Sequence, residues 1–189
     1  MTELKRMQQR EVDRRINAFC QTLTVGDRVE GIKWWDRAYD VMEGIIDSSR
    51  LVNPYPTLEK VAAATAILSP LQPWDRNVRM VEELAKDKWL DPLTFYKWWN
   101  KAQLALWTDD PPLNELATGI KVNPFWRALC GERDAVVVDR WILRIAYPDD
   151  RGYPARVRRI TNSIRRLAPG FGLSPRDLQS AMWVKVRGR

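Results

Sequence analysis

The sequence contains no histidine. That absence excludes every imidazole mechanism, so acid–base work must fall to Asp, Glu, Lys, Tyr or water. Cysteine is nearly absent too: Cys20 and Cys130 are far apart, which argues against a disulfide framework. Two cysteines without histidine are also too few ligands for a structural zinc or an iron–sulfur cluster, and neither metal nor cofactor is expected. No apolar run reaches 18 residues, and Met1-Thr2-Glu3-Leu4-Lys5 has no signal-peptide core. These features predict a soluble, cytoplasmic protein. Acids are almost missing from one stretch: residues 151–189 hold ten Arg or Lys against the single acid Asp177. The chain's net charge is +7, so residues 1–150 are slightly acidic. Basic charge gathered on one segment suggests phosphate or an anionic membrane surface.

What is present is apolar material in abundance. With 189 residues, 45% of them hydrophobic, and ten tryptophans, the chain can bury a core as one domain or two small lobes. The apolar spacing reads as helix nearly throughout. Residues 5–20 repeat Met7, Val12, Ile16 and Phe19, and Trp34-Trp35 opens a second helix with Tyr39, Met42, Ile45 and Ile46 at helical spacing. Thr57 caps a third, in which Val61 to Leu68 is apolar on nearly all sides and belongs in the middle of a domain. A Pro-bounded loop, Ser69 to Pro73, leads to a helix with Val78, Val81, Leu84 and Ala85 inward. Asp91-Pro92 caps the next, with Tyr96, Trp99, Leu104 and Trp107 toward its buried side. A short helix from Pro124 to Cys130 ends at Gly131, and Asp139 stands as an N-cap ahead of Trp141, Ile142 and Ile145. Pro154 opens a basic helix, the turn Pro169-Gly170-Phe171-Gly172 closes it, and Ser174-Pro175 caps a last one. The predicted fold is all-α. Adjacent tryptophans at 34–35 and 98–99 cannot both face a core, so one of each pair is expected to be less buried.

Two groups of residues carry chemistry. Lys121 follows the turn at Gly119, and Asp139 follows the run Val136-Val137-Val138, 18 positions later. An amine and a carboxylate brought together could attack and stabilise a cationic sugar carbon. In the basic helix, Val157, Ile160, Ile164 and Leu167 form one stripe, and Arg158, Arg159, Arg165 and Arg166 fall opposite it. No acid lies within that helix, so its cationic face is expected to meet phosphate with salt-sensitive affinity. Plainer roles fit the same residues: an N-cap for Asp139, a solvated loop lysine for Lys121, a solvated face for the arginines.

From Asn100 to Arg144 the chain resembles the helix-hairpin-helix DNA glycosylases of the endonuclease III type. Glu115-Leu116-Ala117-Thr118-Gly119-Ile120-Lys121 is similar to the family hairpin with its lyase lysine. Val138-Asp139-Arg140-Trp141 is similar to the Val-Asp-Thr-His segment that bears the catalytic aspartate, and the Lys–Asp separation is that of the bifunctional members. Ile67-Leu68-Ser69-Pro70-Leu71-Gln72 looks like the family's Leu-Ser-x-Gln loop, whose glutamine probes the duplex. The chain departs from the pattern at Ala117, where a glycine is usual, at Leu116, where a proline is, and in lacking the cluster cysteines.

The resemblance implies two helical lobes with a cleft between them, divided near 57–145 and 1–56 with 146–189. It implies a DNA glycosylase with AP-lyase activity, acting as a monomer on double-stranded DNA with a flipped base and having no membrane partner. Asp139 and Lys121 would be catalytic. Gly119, Gln72, Arg140 and the four arginines Arg158, Arg159, Arg165 and Arg166 would contact DNA. Two alternatives stand beside it: a phage-type enzyme of the same fold that excises or builds hypermodified bases, and a non-catalytic DNA-binding module.

Overall fold

The structure, a computed structural model, describes residues 3–53, 56–70, 72–87, 96–148 and 154–188, with side chains from Gln8 onward. Asp91-Pro92, Leu71, Tyr55, Arg189 and the side chain of Met7 lie outside these. The described residues are all-helical, with no strand. The chain forms two compact units: Met1–Asp36 with Gly131–Arg189 (unit 1), and Arg37–Cys130 (unit 2). The lobes drawn from the sequence have other bounds, and Val136, Val138 and Ile142 pack into the core of unit 1.

In unit 1, α1 (Glu3–Cys20) packs on α9 (Pro154–Leu167) and α8 (Arg140–Ala146), and α10 (Pro175–Arg187) packs on both α8 and α9. The core joins Val12, Ile16 and Cys20 of α1 to Ile160 and Ile164 of α9 and to Leu178 and Met182 of α10. Each such aliphatic side chain contributes about 2 kcal/mol by leaving water. A 3₁₀ turn at Ala168–Phe171, with Gly172 at φ +68°, links α9 to α10, and Ser174 caps α10 by accepting from Asp177 N–H at 3.2 Å.

The second helix, α2 (Val25–Ser49), begins nine residues before the Trp34-Trp35 start expected from apolar spacing. The reason is polar. Thr24 Oγ1 accepts from Asp27 N–H at 3.0 Å while the Asp27 carboxylate accepts from Thr24 N–H at 2.8 Å, a reciprocal cap. Early in α2, Gly31 meets α10 so closely that Ser180 Oγ donates to the Gly31 carbonyl at 2.8 Å.

Unit 2 is built around α3 (Leu58–Leu68), whose residues from Lys60 to Leu68 are all buried, as its all-round apolar pattern predicts. Helices α4 (Trp74–Lys86), α5 (Tyr96–Trp107), α6 (Leu113–Leu116) and α7 (Val122–Leu129) surround it. The buried face of α5 is Trp99, Ala102, Ala105 and Leu106. Tyr96 and Leu104, expected near that face, are 69% and 38% exposed. Small alanines on both α3 and α5 let the backbones approach, and Trp99 and Leu106 supply the bulk of the buried face. In α4, Val78 is half-buried while Asn77 and Met80 take the inner positions beside Val81 and Leu84. Asn77 holds its place by donating from Nδ2 to the Thr65 carbonyl at 2.9 Å.

Candidate functional site

Asp139 is the N-cap of α8, at the end of the buried run Ala135 to Val138. Its Oδ1 accepts from the N–H groups of Trp141 at 2.9 Å and Ile142 at 3.0 Å. Its Oδ2 accepts from the indole Nε1 of Trp183, on α10, at 3.1 Å. Both carboxylate oxygens are therefore aimed by the fold, one by the helix start and one by a tertiary contact. Trp183 is itself held: its ring lies 5.9 Å from that of Trp34, and the Arg187 guanidinium stands 4.7 Å from its centroid. Trp34 in turn meets Trp35 edge-on at 4.6 Å, and Arg176 lies 5.1 Å from the Trp35 ring. Local sequence patterns pointed to Asp139 but not to Trp183, which lies 44 residues away in the chain.

Lys121 belongs to unit 2 and Asp139 to unit 1. The hairpin segment is helical on both sides of a turn: α6 ends at Leu116, Gly119 sits at φ +109°, and Lys121 occupies the position just before α7. A Cβ at Gly119 would meet nothing within 4 Å, so the backbone angle alone calls for glycine there. Helix α7 starts at Val122, two residues ahead of the Pro124 start expected, since Pro fits any position in a first turn whose N–H groups lack carbonyl partners. Gly131, at φ +91°, closes it as expected.

The Lys121 ammonium is half-buried and donates to the Ser69 carbonyl at 3.3 Å; the Phe125 ring lies 6.0 Å away. The backbone N–H of Gln72, three positions on, donates to that same carbonyl at 3.3 Å and closes a local turn. The side chain of Lys121 thus reaches the turn that follows α3, the turn closed by the Gln72 backbone bond. Ser69 was not singled out as a site residue, and no local pattern marks its carbonyl as an acceptor.

The basic helix α9 buries Val157, Ile160 and Ile164 as predicted, with Ser163 completing the stripe. Its arginines are not equivalent. Arg165 pairs with Asp134 at 3.1 Å, Arg166 with Asp13, and Arg159 donates to Gln8 Oε1. Arg158 is exposed and makes no hydrogen bond or ion pair among the described residues. The expectation of an acid-free cationic face therefore needs correction: α9 carries no acid, but α1 and the loop before α8 supply two. Burial drives the Asp13 carboxyl upward, yet hydrogen bonds from Ser163, Gln9 and the Arg166 guanidinium outweigh it and hold the group below its ordinary value. Arg140 is exposed, its guanidinium 5.1 Å from the Trp141 ring centroid.

Among the described residues no cluster of three or more His, Cys, Asp or Glu could hold a metal ion, and no helix is long and apolar enough to cross a membrane. The chain belongs to the DUF7178 family, a family of unknown function, whose profile matches residues 1–189. No curated protein and no solved structure matches it.

Proposed function

We propose that this protein is a helix-hairpin-helix DNA glycosylase in kind, acting on a base flipped out of double-stranded DNA. Base flipping costs a few kcal/mol of unstacking, which contacts to the opened strand offset. Asp139 takes the role of charge stabiliser: as the base leaves with the bonding electrons, the sugar carbon becomes cationic, and an oriented carboxylate lowers the energy of that state. Lys121 takes the role of nucleophile. Its neutral amine adds to C1′ and loses a proton; the C1′–O4′ bond then breaks, O4′ takes up a proton, and the opened sugar is left as a Schiff base, from which loss of a C2′ proton expels the 3′ oxygen by β-elimination.

The observation that carries this reading is the Asp139 carboxylate, fixed by two backbone N–H groups and an indole N–H. Preorganisation of this kind is what electrostatic catalysis requires. Incubation with abasic duplex and borohydride tests the lyase step: a covalent adduct is expected with the native chain and none with Lys121→Ala. Base release from damaged duplexes, measured separately, tests Asp139→Asn. Release undiminished in that variant would remove Asp139 from the chemistry.

The same three hydrogen bonds also suit a purely architectural cap, and then the protein is a DNA-binding module in which both variants bind like the native chain. Mass spectrometry of nucleosides from DNA exposed to the protein distinguishes repair from action on modified bases.

A further inference from the structure

Unit 1 carries an open groove of about 430 Å³ formed by α1, α8 and the end of α10. Its floor is apolar, with Phe19 from α1 and Trp141 and Ile145 from α8. Its rim is cationic, with Arg14 and Arg15 from α1 and Arg144 from α8. Arg140 adds a fourth guanidinium beside the Trp141 ring, at 5.1 Å, and Arg144 stands at 5.6 Å from the same ring. The acid bonded to this rim is Glu11, whose carboxylate is shared between Arg14 and Arg15, each at 2.7 Å. Arg140 and Arg144 make no hydrogen bond or ion pair among the described residues. Glu11 thus engages Arg14 and Arg15, while the two guanidinium groups beside the indole, those of Arg140 and Arg144, have no acid among the described residues.

We propose that this groove binds a nucleotide of single-stranded DNA, the base lying against Trp141 and Phe19 and the phosphate on Arg144 and Arg14. The groove's volume falls in the range of small-ligand clefts, roughly 300–1,000 Å³, which is room for one nucleotide and not for a duplex. An aromatic floor beside cations is what sequence-tolerant strand binding uses: bases stack, and the backbone tracks the charge. Guanidinium also matches phosphate through paired hydrogen bonds. An acidic peptide would use the arginines and leave the aromatic floor unfilled. A lipid surface calls for apolar groups that project outward, whereas these line a recess. This site does not depend on the chemistry assigned to Lys121 or Asp139.

The test is fluorescence anisotropy of the full chain with a 5′-labelled eight-nucleotide oligothymidine across a salt series. Arg144→Gln is expected to weaken binding severalfold and to flatten the salt slope by roughly 0.7. Trp141→Ala is expected to weaken it roughly tenfold with the slope unchanged. Because Trp141 is half-buried, its variant is checked by thermal unfolding, and the exposed Arg144 carries the test if it fails to fold. Native-like binding by Arg144→Gln overturns the proposal. So does equal competition by a polyglutamate peptide or by phosphatidylserine vesicles. Borohydride trapping reports on Lys121 alone, so trapping without groove binding, or the reverse, shows which assignment failed.

Discussion

The indole N–H of Trp183 donates to Oδ2 of Asp139 at 3.1 Å while the start of α8 occupies Oδ1. The two ends of the carboxylate therefore answer to different substitutions. Trp183→Phe keeps an aromatic ring but removes the donor and part of the indole, with an expected loss of at least about 1.5 kcal/mol, the scale of a hydrogen bond to a charged group. Asp139→Ala removes cap and acceptor together and should cost roughly 2–3 kcal/mol. Urea unfolding of these variants and of the double variant gives the coupling directly, and strict additivity would mean that the indole bond contributes nothing. If Asp139 acts in catalysis, Trp183→Phe also lowers base release by more than it lowers DNA binding.

Two glycines should respond differently to alanine. At Gly31 a Cβ would lie 2.4 Å from Ala181 N and 2.6 Å from its Cα, so α2 and α10 must part. Overpacking of this sort costs about 3 kcal/mol or more, because backbone cannot turn aside as a side chain can. At Gly119 space is free and the penalty is the backbone angle alone, about 1–2 kcal/mol. Thermal melts of Gly31→Ala and Gly119→Ala should show the first as the larger loss by a clear margin. The reverse order would contradict the close approach of the two helices.

Helical class and the central place of α3 were legible in the chain because periodicity is local, and nothing in α3 interrupts its apolar run. The Asp139 cap was legible for the same reason, since a cap bonds to residues two and three positions on. Trp183 was not, because its partner lies on another helix and no spacing rule connects them. The arginines of α9 show the same limit from the other side. Counting charges within the helix found no acid, yet Asp13 and Asp134 reach it from elsewhere in the fold. The start of α2 was missed because the apolar pattern outweighed the Thr24–Asp27 box that sets it.

Glu11 should titrate far below an ordinary carboxylate. Hydrogen bonds from Arg14 and then Arg15, with their positive charge, lower its pKa from 4.5 to about 2. A depressed carboxylate stabilises the folded chain above its unfolded value, and the contribution is lost as pH falls from about 4.5 toward 2. Carbon-detected NMR of the Glu11 carboxyl should show a midpoint about 2, returning toward 4.5 in Arg14→Ala/Arg15→Ala. A midpoint near 4.5 in the native chain would mean that the paired arginines are not held on Glu11.

Both thiols should be inert while the chain is folded. Burial pushes Cys20 up to about 12 against a smaller pull from Arg28; burial and then Glu59 push Cys130 up to about 11. The thiolate is the nucleophile, so at pH 8 alkylation by iodoacetamide should be slower than in urea by about a thousandfold for Cys20 and about a hundredfold for Cys130. The sign of the linked effect follows: unfolded thiols ionise near 9 while folded ones stay protonated, so stability declines as pH rises past 9. Rapid native labelling of Cys20 would place it outside the core that holds Val12 and Ile16.

The arginines of α9 offer the sharpest separation between a nucleic-acid surface and a structural one. Arg158 is exposed and unengaged among the described residues, whereas Arg166 is bonded to Asp13 and Arg165 to Asp134. Phosphate can take Arg158 at no internal expense, but it must compete with a carboxylate for the other two. Arg158→Ala should therefore weaken duplex binding and lower the slope of log affinity against log salt by about 0.9, the release of one phosphate contact. Arg165→Ala and Arg166→Ala should change that slope less and instead lower stability by under about 1 kcal/mol each, as partly exposed ion pairs do. The Asp13→Asn variant sets the control, since removing the competing charge frees Arg166 and should raise DNA affinity. A slope unchanged from that of the native chain in all of these variants would mean that duplex DNA does not touch α9.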